Sequence, residues 1–210
     1  MLSRIGQANI ELVAKTNHPL VTDSGFNLTP TATFATLTDC HILCVPGGMG
    51  VQDAMEDEDT IAWVRHVAGR ATWVTSVCTG SLLLGAAGLL QGYRATTHWT
   101  SHHLLAAFGA IPVKQRVVFD RNRVTGGGVT AGIDFGLALV AAIRGEEHAR
   151  FVQLSLEYNP EPPFDAGSPE TAGEATMARY AKIALTSAGD REARTLAAAS
   201  RMRIGDTQLP

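Results

Sequence analysis

The stretch Thr72 to Leu90, TWVTSVCTGSLLLGAAGLL, constrains this chain more than any other. An apolar, β-branched run with Trp73, Val74 and Val77 leads into Cys78, Thr79, Gly80 and Ser81. An Ala/Leu/Gly run then reads as a buried helix. A strand therefore turns abruptly into a helix at a cysteine. Such a turn holds the side chain out at the C-terminal edge of a parallel sheet, where a helix N-terminus favours thiolate over thiol. This is the construction of a nucleophile elbow. The same local pattern also fits a buried cysteine at an ordinary strand end.

The segments around the elbow repeat its alternation of strand and helix. Met1 to Ala8 reads as the tail of a helix, Ile10 to Ala14 as a short strand, and Pro19 to Leu28 as a polar connection able to hold a hairpin. Thr29 to Thr38 fits either an extended arm or a short helix. His41 to Val45 is an apolar strand stopped by Pro46, Gly47, Gly48 and Gly50. Cys40 and Cys44 are an even number of residues apart and are expected on one face of that strand. The acidic group Asp53, Glu56, Asp57, Glu58 and Asp59 precedes Ile61, Val64 and Val67 at helical spacing. It reads as a solvated helix cap, not as a metal site.

Beyond the elbow, Tyr93 to Thr97 is a predicted strand running into His98 and Trp99, and Ser101 to Phe108 a short helix. Val113 to Phe119 and Asn122 to Thr125 form a strand pair with a tight turn. Gly126 to Gly128 open on Thr130, a predicted N-cap for the helix Ala131 to Arg144. Gly132 in its first turn would allow close backbone packing. Another helix, Glu146 to Tyr158, precedes a Pro-rich loop at 159–173. Glu174 to Ala188 reads as a helix, and within the C-terminal tail 190–210 the Arg/Ala-rich segment Asp190 to Ile204 as another, exposed or packed on a partner, whose arginines form a solvated face. The alternation predicts one α/β domain over 1–210, with a mostly parallel sheet covered by helices on both faces.

Composition narrows the function classes. The 210 residues carry a net charge of −3 and 45% hydrophobic residues, which points to neither nucleic acid nor a membrane surface. The N-terminus lacks the apolar core of a signal peptide, so a cytoplasmic location is the default. Three cysteines, Cys40, Cys44 and Cys78, argue against a disulfide framework. The spacing around Gly47 and Gly48 does not fit a dinucleotide or Walker loop.

In an open parallel sheet, the loops leaving the C-terminal strand ends converge on one crevice. Here they would bring together Gly48, the Cys78-Thr79 pair and His98. Cys78 would supply the nucleophile, and the backbone N–H groups of Gly48 and Thr79 could stabilise developing negative charge. The Thr79 hydroxyl could bind substrate or position a proton. His98 is a candidate proton relay, or else a structural histidine capping the strand end. A zinc site from His98, His102 and His103 lacks a fourth ligand at recognisable spacing.

PGG at Pro46 to Gly48, TSVCTGSLLLGAAGLLQG at Thr75 to Gly92, RATTHW at Arg94 to Trp99 and TGGGVTAGIDFGL at Thr125 to Leu137 together resemble the ThiJ/PfpI superfamily. That superfamily is similar to class I glutamine amidotransferases. EYNPEPPFDAGSP at Glu157 to Pro169 and the Cys-Thr pair look most like its isocyanide hydratase branch. The resemblance implies a flavodoxin-like α/β sandwich, a homodimer and no metal or organic cofactor. It implies Cys78 as nucleophile, Gly48 and Thr79 as anion-stabilising groups, and a small-molecule isocyanide as substrate. Thr79 stands where some members have histidine, which argues against a PfpI-type protease.

The family begins with a central strand and an acidic loop that contacts the cysteine, whereas Ile10 to Ala14 resembles the family's second strand. About two dozen residues are therefore expected to be missing. If the chain starts at Met1, weak or absent hydratase activity is expected, because no other general acid/base is evident. The alternatives are a ligand sensor related to AraC-type regulators, disfavoured because only about 20 residues follow Ala188, and an oxidation sensor that reads out a low-pKa cysteine.

Overall fold

The computed structural model describes residues 1–22, 24–187 and 190–206. After a 3-10 turn at Leu2–Ile5 come four two-residue strands, β1 (Val13–Ala14), β2 (Leu20–Val21), β3 (Asn27–Leu28) and β4 (Ala32–Thr33). Strand β5 (Ile42–Val45) leads to helices α1 (Val51–Glu56) and α2 (Glu58–Ala68), then to β6 (Trp73–Val77) and α3 (Gly80–Ala86). Strand β7 (Arg94–Ala95), a 3-10 helix at Trp99–Phe108, β8 (Ile111–Pro112), β9 (Val117–Asp120) and β10 (Arg123–Gly126) follow. Helices α4 (Ala131–Arg144), α5 (Glu146–Ser155), α6 (Glu174–Ser187) and α7 (Arg191–Asp206) come last among the described residues.

The main sheet has the order β5-β6-β10-β9, parallel except for the antiparallel β9–β10 hairpin. Side chains alternate across it, as a period of two requires. Leu43, Val45 and Val74 enter a cluster with residues of α1, α2, α3, α7 and the Trp99–Phe108 helix. On the other face Ile42, Cys44, Trp73 and Val77 meet Phe135 and Leu139 of α4, with α5 adding Ala149 and Val152. Helices thus cover both faces, the predicted α/β architecture. Among the described residues β5 is an edge of this sheet, and β1 pairs with β4 in a separate ladder.

Several local expectations change. The Ile10–Ala14 strand shrinks to Val13–Ala14, and Thr29–Thr38 resolves into β4 followed by a turn. The Pro19–Leu28 connection does hold a hairpin, β2 against β3. Cys40 and Cys44 lie against opposite clusters, because the strand begins only at Ile42 and Cys40 precedes the regular alternation. Asp57 caps α2, its carboxylate accepting from the Thr60 N–H at 3.2 Å, and Lys15 pairs with Asp57 and Asp59. The Thr130 hydroxyl makes no cap bond; it accepts from Arg116 Nη2 instead. A Cβ on Gly132 would meet Val77 at an ordinary 3.6 Å, so the close approaches lie at other glycines.

The largest departure is at the C-terminus. The helix expected at Asp190 to Ile204 forms at 191–206, but instead of lying exposed or on a partner it buries Thr195, Ala198, Ala199 and Met202 in the same chain. Its arginines are not a uniform solvated face: Arg194 bonds both Glu56, at 2.6 and 2.7 Å, and Asp53, at 2.7 Å. These hydrogen bonds hold the Glu56 carboxyl below the usual carboxylate range. Residue 188, the expected end of α6, and residues 207–210 lie outside the described residues.

Candidate active site

The elbow is built from strain held by hydrogen bonds. Cys78 has φ +59°, the left-handed region that costs a side-chain-bearing residue about 1 kcal/mol or more. Four bonds hold its backbone there. The Cys78 N–H is shared between the carbonyls of Gly126 and Gly127 at 3.0 and 2.8 Å. Its carbonyl accepts from the Thr97 hydroxyl at 2.9 Å and from the Ser81 hydroxyl at 3.2 Å. Because Gly126 ends β10 beside Val77, the register β6–β10 itself supplies one of these acceptors.

Two glycines let neighbouring backbone close on the cysteine. A Cβ on Gly80 would overlap the carbonyls of Val45 and Pro46, and one on Gly47 would sit 2.7 Å from Cys78 Cβ. The loop after β5 is therefore pressed against the elbow, which brings Gly48 to Thr79. The Gly48 N–H donates to Thr79 Oγ1 at 3.1 Å. Gly48 is thus engaged by the Thr79 side chain rather than presented as a free anion donor. The Thr79 N–H has no acceptor among the described residues.

His98 lies at the same end of the sheet, but no hydrogen bond links it to Cys78 among the described residues. The Thr100 N–H donates to His98 Nδ1 at 3.4 Å, and the Thr100 hydroxyl lies 2.7 Å from the same nitrogen. His98 therefore caps the helix at Trp99–Phe108, the structural role left open by the sequence. With Nδ1 accepting, a neutral ring carries its proton on Nε2. Burial first, then the Arg191 charge, push the His98 pKa down. Gly128 makes room for the ring, since a Cβ there would lie 2.8 Å from His98 Cδ2.

A cleft of about 630 Å³ opens beside the elbow, lined by Thr97, His98, Trp99, Gly127, Gly128 and the loop 167–170. Thr97 and Gly127, which bond the Cys78 backbone, are part of its wall. Sequence reasoning missed Thr97, Ser81 and the Gly126–Gly127 carbonyls. The one available signal was a threonine directly before His98 at a strand end. Among the described residues, no group of three or more His, Cys, Asp or Glu is placed to hold a metal ion.

The DJ-1/PfpI family model matches residues 1–142, which include the elbow, the Gly47-Gly48 loop and His98. The chain belongs to the DJ-1/PfpI family. It is 50% identical over 204 residues to isonitrile hydratase of Pseudomonas putida, covering 97% of this chain and 90% of that protein. The HTH-type transcriptional regulator GbdR of Pseudomonas aeruginosa is 36% identical over 136 residues, covering 63% of this chain and 35% of the regulator. Among solved structures, a ThiJ/PfpI family protein from Pseudomonas syringae superposes with a TM-score of 0.83 at 48% identity, covering 91% of this chain and 78% of that one. The fold alone extends to Schizosaccharomyces pombe DJ-1, with a TM-score of 0.63 at 19% identity.

Among the described residues no helix is long and apolar enough to cross a membrane.

Proposed function

We propose that this protein hydrates isocyanides to N-formamides, with Cys78 as the nucleophile. The observation that carries the reading is the 50% identity to an isonitrile hydratase over 97% of the chain. The strained elbow at Cys78 supports the assignment of the nucleophile. The thiolate attacks the terminal isocyanide carbon, and protonation of that carbon gives a thioimidate. Water adds to the same carbon while nitrogen takes a proton. Collapse then expels the thiolate, and loss of the hydroxyl proton leaves R–NH–CHO. One water is consumed and no oxidant or reductant is required.

Thr79 is the residue next to the reacting centre. Its N–H is the donor for negative charge on the adduct, and Gly48 acts through it by holding the Thr79 oxygen. His98 lines the cleft, and its Nε2 serves as the proton relay. The working form is a cytoplasmic homodimer that uses no cofactor and binds neither nucleic acid nor membrane.

The regulator reading is weaker, because the match to GbdR is shorter and less identical than the match to the hydratase. Incubation with an aryl isocyanide and chromatography of the formamide test the proposal. Turnover by the native chain that vanishes in Cys78→Ala is the expected result. Undiminished turnover in Cys78→Ala overturns the covalent route. Peroxide oxidation of Cys78 without formamide from any isocyanide supports a sensor instead.

A further inference from the structure

The cleft beside the elbow is larger than the isocyanide group needs. Its near wall is one residue from the nucleophile through two bonds, Thr97 hydroxyl to Cys78 carbonyl and Cys78 N–H to Gly127 carbonyl. An isocyanide is linear through its nitrogen, so a carbon attacked by sulfur projects the N-substituent away from the cysteine into neighbouring space. The 630 Å³ cleft lies within the range of small-molecule sites.

Its lining has two characters. Trp99, Val129 and Pro169 offer apolar surface, while Lys114, Arg116 and Glu170 bring charge. Two of the three charges are already committed. Arg116 pairs with Asp134 and donates to Thr130. Hydrogen bonds from its own backbone amide and from Ser168, with the Lys114 charge as the smallest favourable influence, hold the Glu170 carboxyl below the usual range. Lys114 makes no ion pair with any described residue. An ammonium at the wall of a partly apolar cleft is suited to an anionic group on an apolar body.

We propose that the cleft seats the N-substituent of the substrate and selects isocyanides that carry a carboxylate, bound by Lys114. The inference rests on the hydration reading and names the substrate class for that site. Hydration of an isocyano carboxylate adds one water and yields an N-formyl amino acid, so such acids are both the products and the natural binding probes.

The test compares an aromatic isocyano carboxylate with its methyl ester in the native chain, Lys114→Gln and Lys114→Arg. The readout is the acid-to-ester ratio of kcat/KM. Lys114→Gln is expected to lower that ratio about fivefold, the size of one partly solvated ion pair, and Lys114→Arg to retain it. Turnover of the ester with a ratio unchanged in Lys114→Gln overturns the carboxylate subsite and leaves hydration standing. If neither isocyanide is turned over, the hydration reading fails, and calorimetry with N-formylphenylalanine decides the subsite. Binding that weakens in Lys114→Gln supports it; absent or unchanged binding overturns it.

Discussion

The Thr97 hydroxyl donates to the Cys78 carbonyl at 2.9 Å, tying the segment after β7 to the nucleophile that follows β6. Thr97 is buried, with 3% exposure, so water cannot replace the bond. Thr97→Val is nearly isosteric and removes only the donor. It should cost about 1 kcal/mol of stability and lower turnover roughly tenfold through a loosened Cys78. Thr97→Ser should restore both. Urea denaturation and the rate of Cys78 alkylation by iodoacetamide check the two effects separately.

The left-handed backbone of Cys78 predicts opposite fates for two inactive variants. Cys78→Ala keeps the unfavourable φ of +59°, whereas Cys78→Gly relieves it. The glycine variant should be the more stable of the pair by about 1 kcal/mol, even after its greater chain entropy is counted. Thermal melts of the two proteins side by side measure the difference. Equal melting temperatures would mean that the turn carries no strain.

Glycines at two helix starts should respond differently to alanine. A Cβ at position 80 overlaps backbone carbonyls of Val45 and Pro46, which cannot swing aside as a side chain can. Gly80→Ala should therefore cost about 3 kcal/mol or yield insoluble protein. Gly132→Ala places its methyl 3.6 Å from Val77 inside a helix, and should gain up to about 1 kcal/mol. Denaturant midpoints for both variants test the contrast.

His98 should titrate below the ordinary imidazole value, because burial and then the Arg191 charge oppose its cation. Its folded pKa is depressed, so the unfolded chain takes up the proton first. The His98 contribution to stability is complete above about pH 6.5, declines as pH falls toward the folded pKa, and levels off below it. Arg191→Gln should raise the His98 pKa and shrink this slope. Proton NMR of the imidazole ring, with melts across the same pH range, checks both.

The elbow shows how far local patterns reach. Trp73 to Val77 and Gly80 to Ala86 form a strand and a helix because β-branched residues and an Ala/Leu run each favour one backbone state over several residues. Cys78 falls between them whatever the remainder of the chain does. The β9–β10 hairpin and the Pro-rich loop were legible for the same reason, whereas the strand expected before His98 shrinks to Arg94–Ala95 and pairs with β8 in a ladder apart from the main sheet.

Which atoms meet at the sheet's C-terminal edge was not legible. Gly48 was expected to face a substrate, yet its N–H meets Thr79 Oγ1, 31 residues away in sequence. His98 was weighed as a partner of the sulfur, yet its Nδ1 is turned to Thr100. Arg194 looked solvent-facing until the packing of α7 brought it to Glu56, across 138 residues. The sequence by itself determined the order of strands and helices and the residue at the turn, since backbone preference is a short-range property. Only the tertiary structure decided the hydrogen-bond partners, the docking of α7 and the cleft at Lys114. Those depend on how separate segments close-pack, and their side chains choose among polar neighbours only once the backbones are in place.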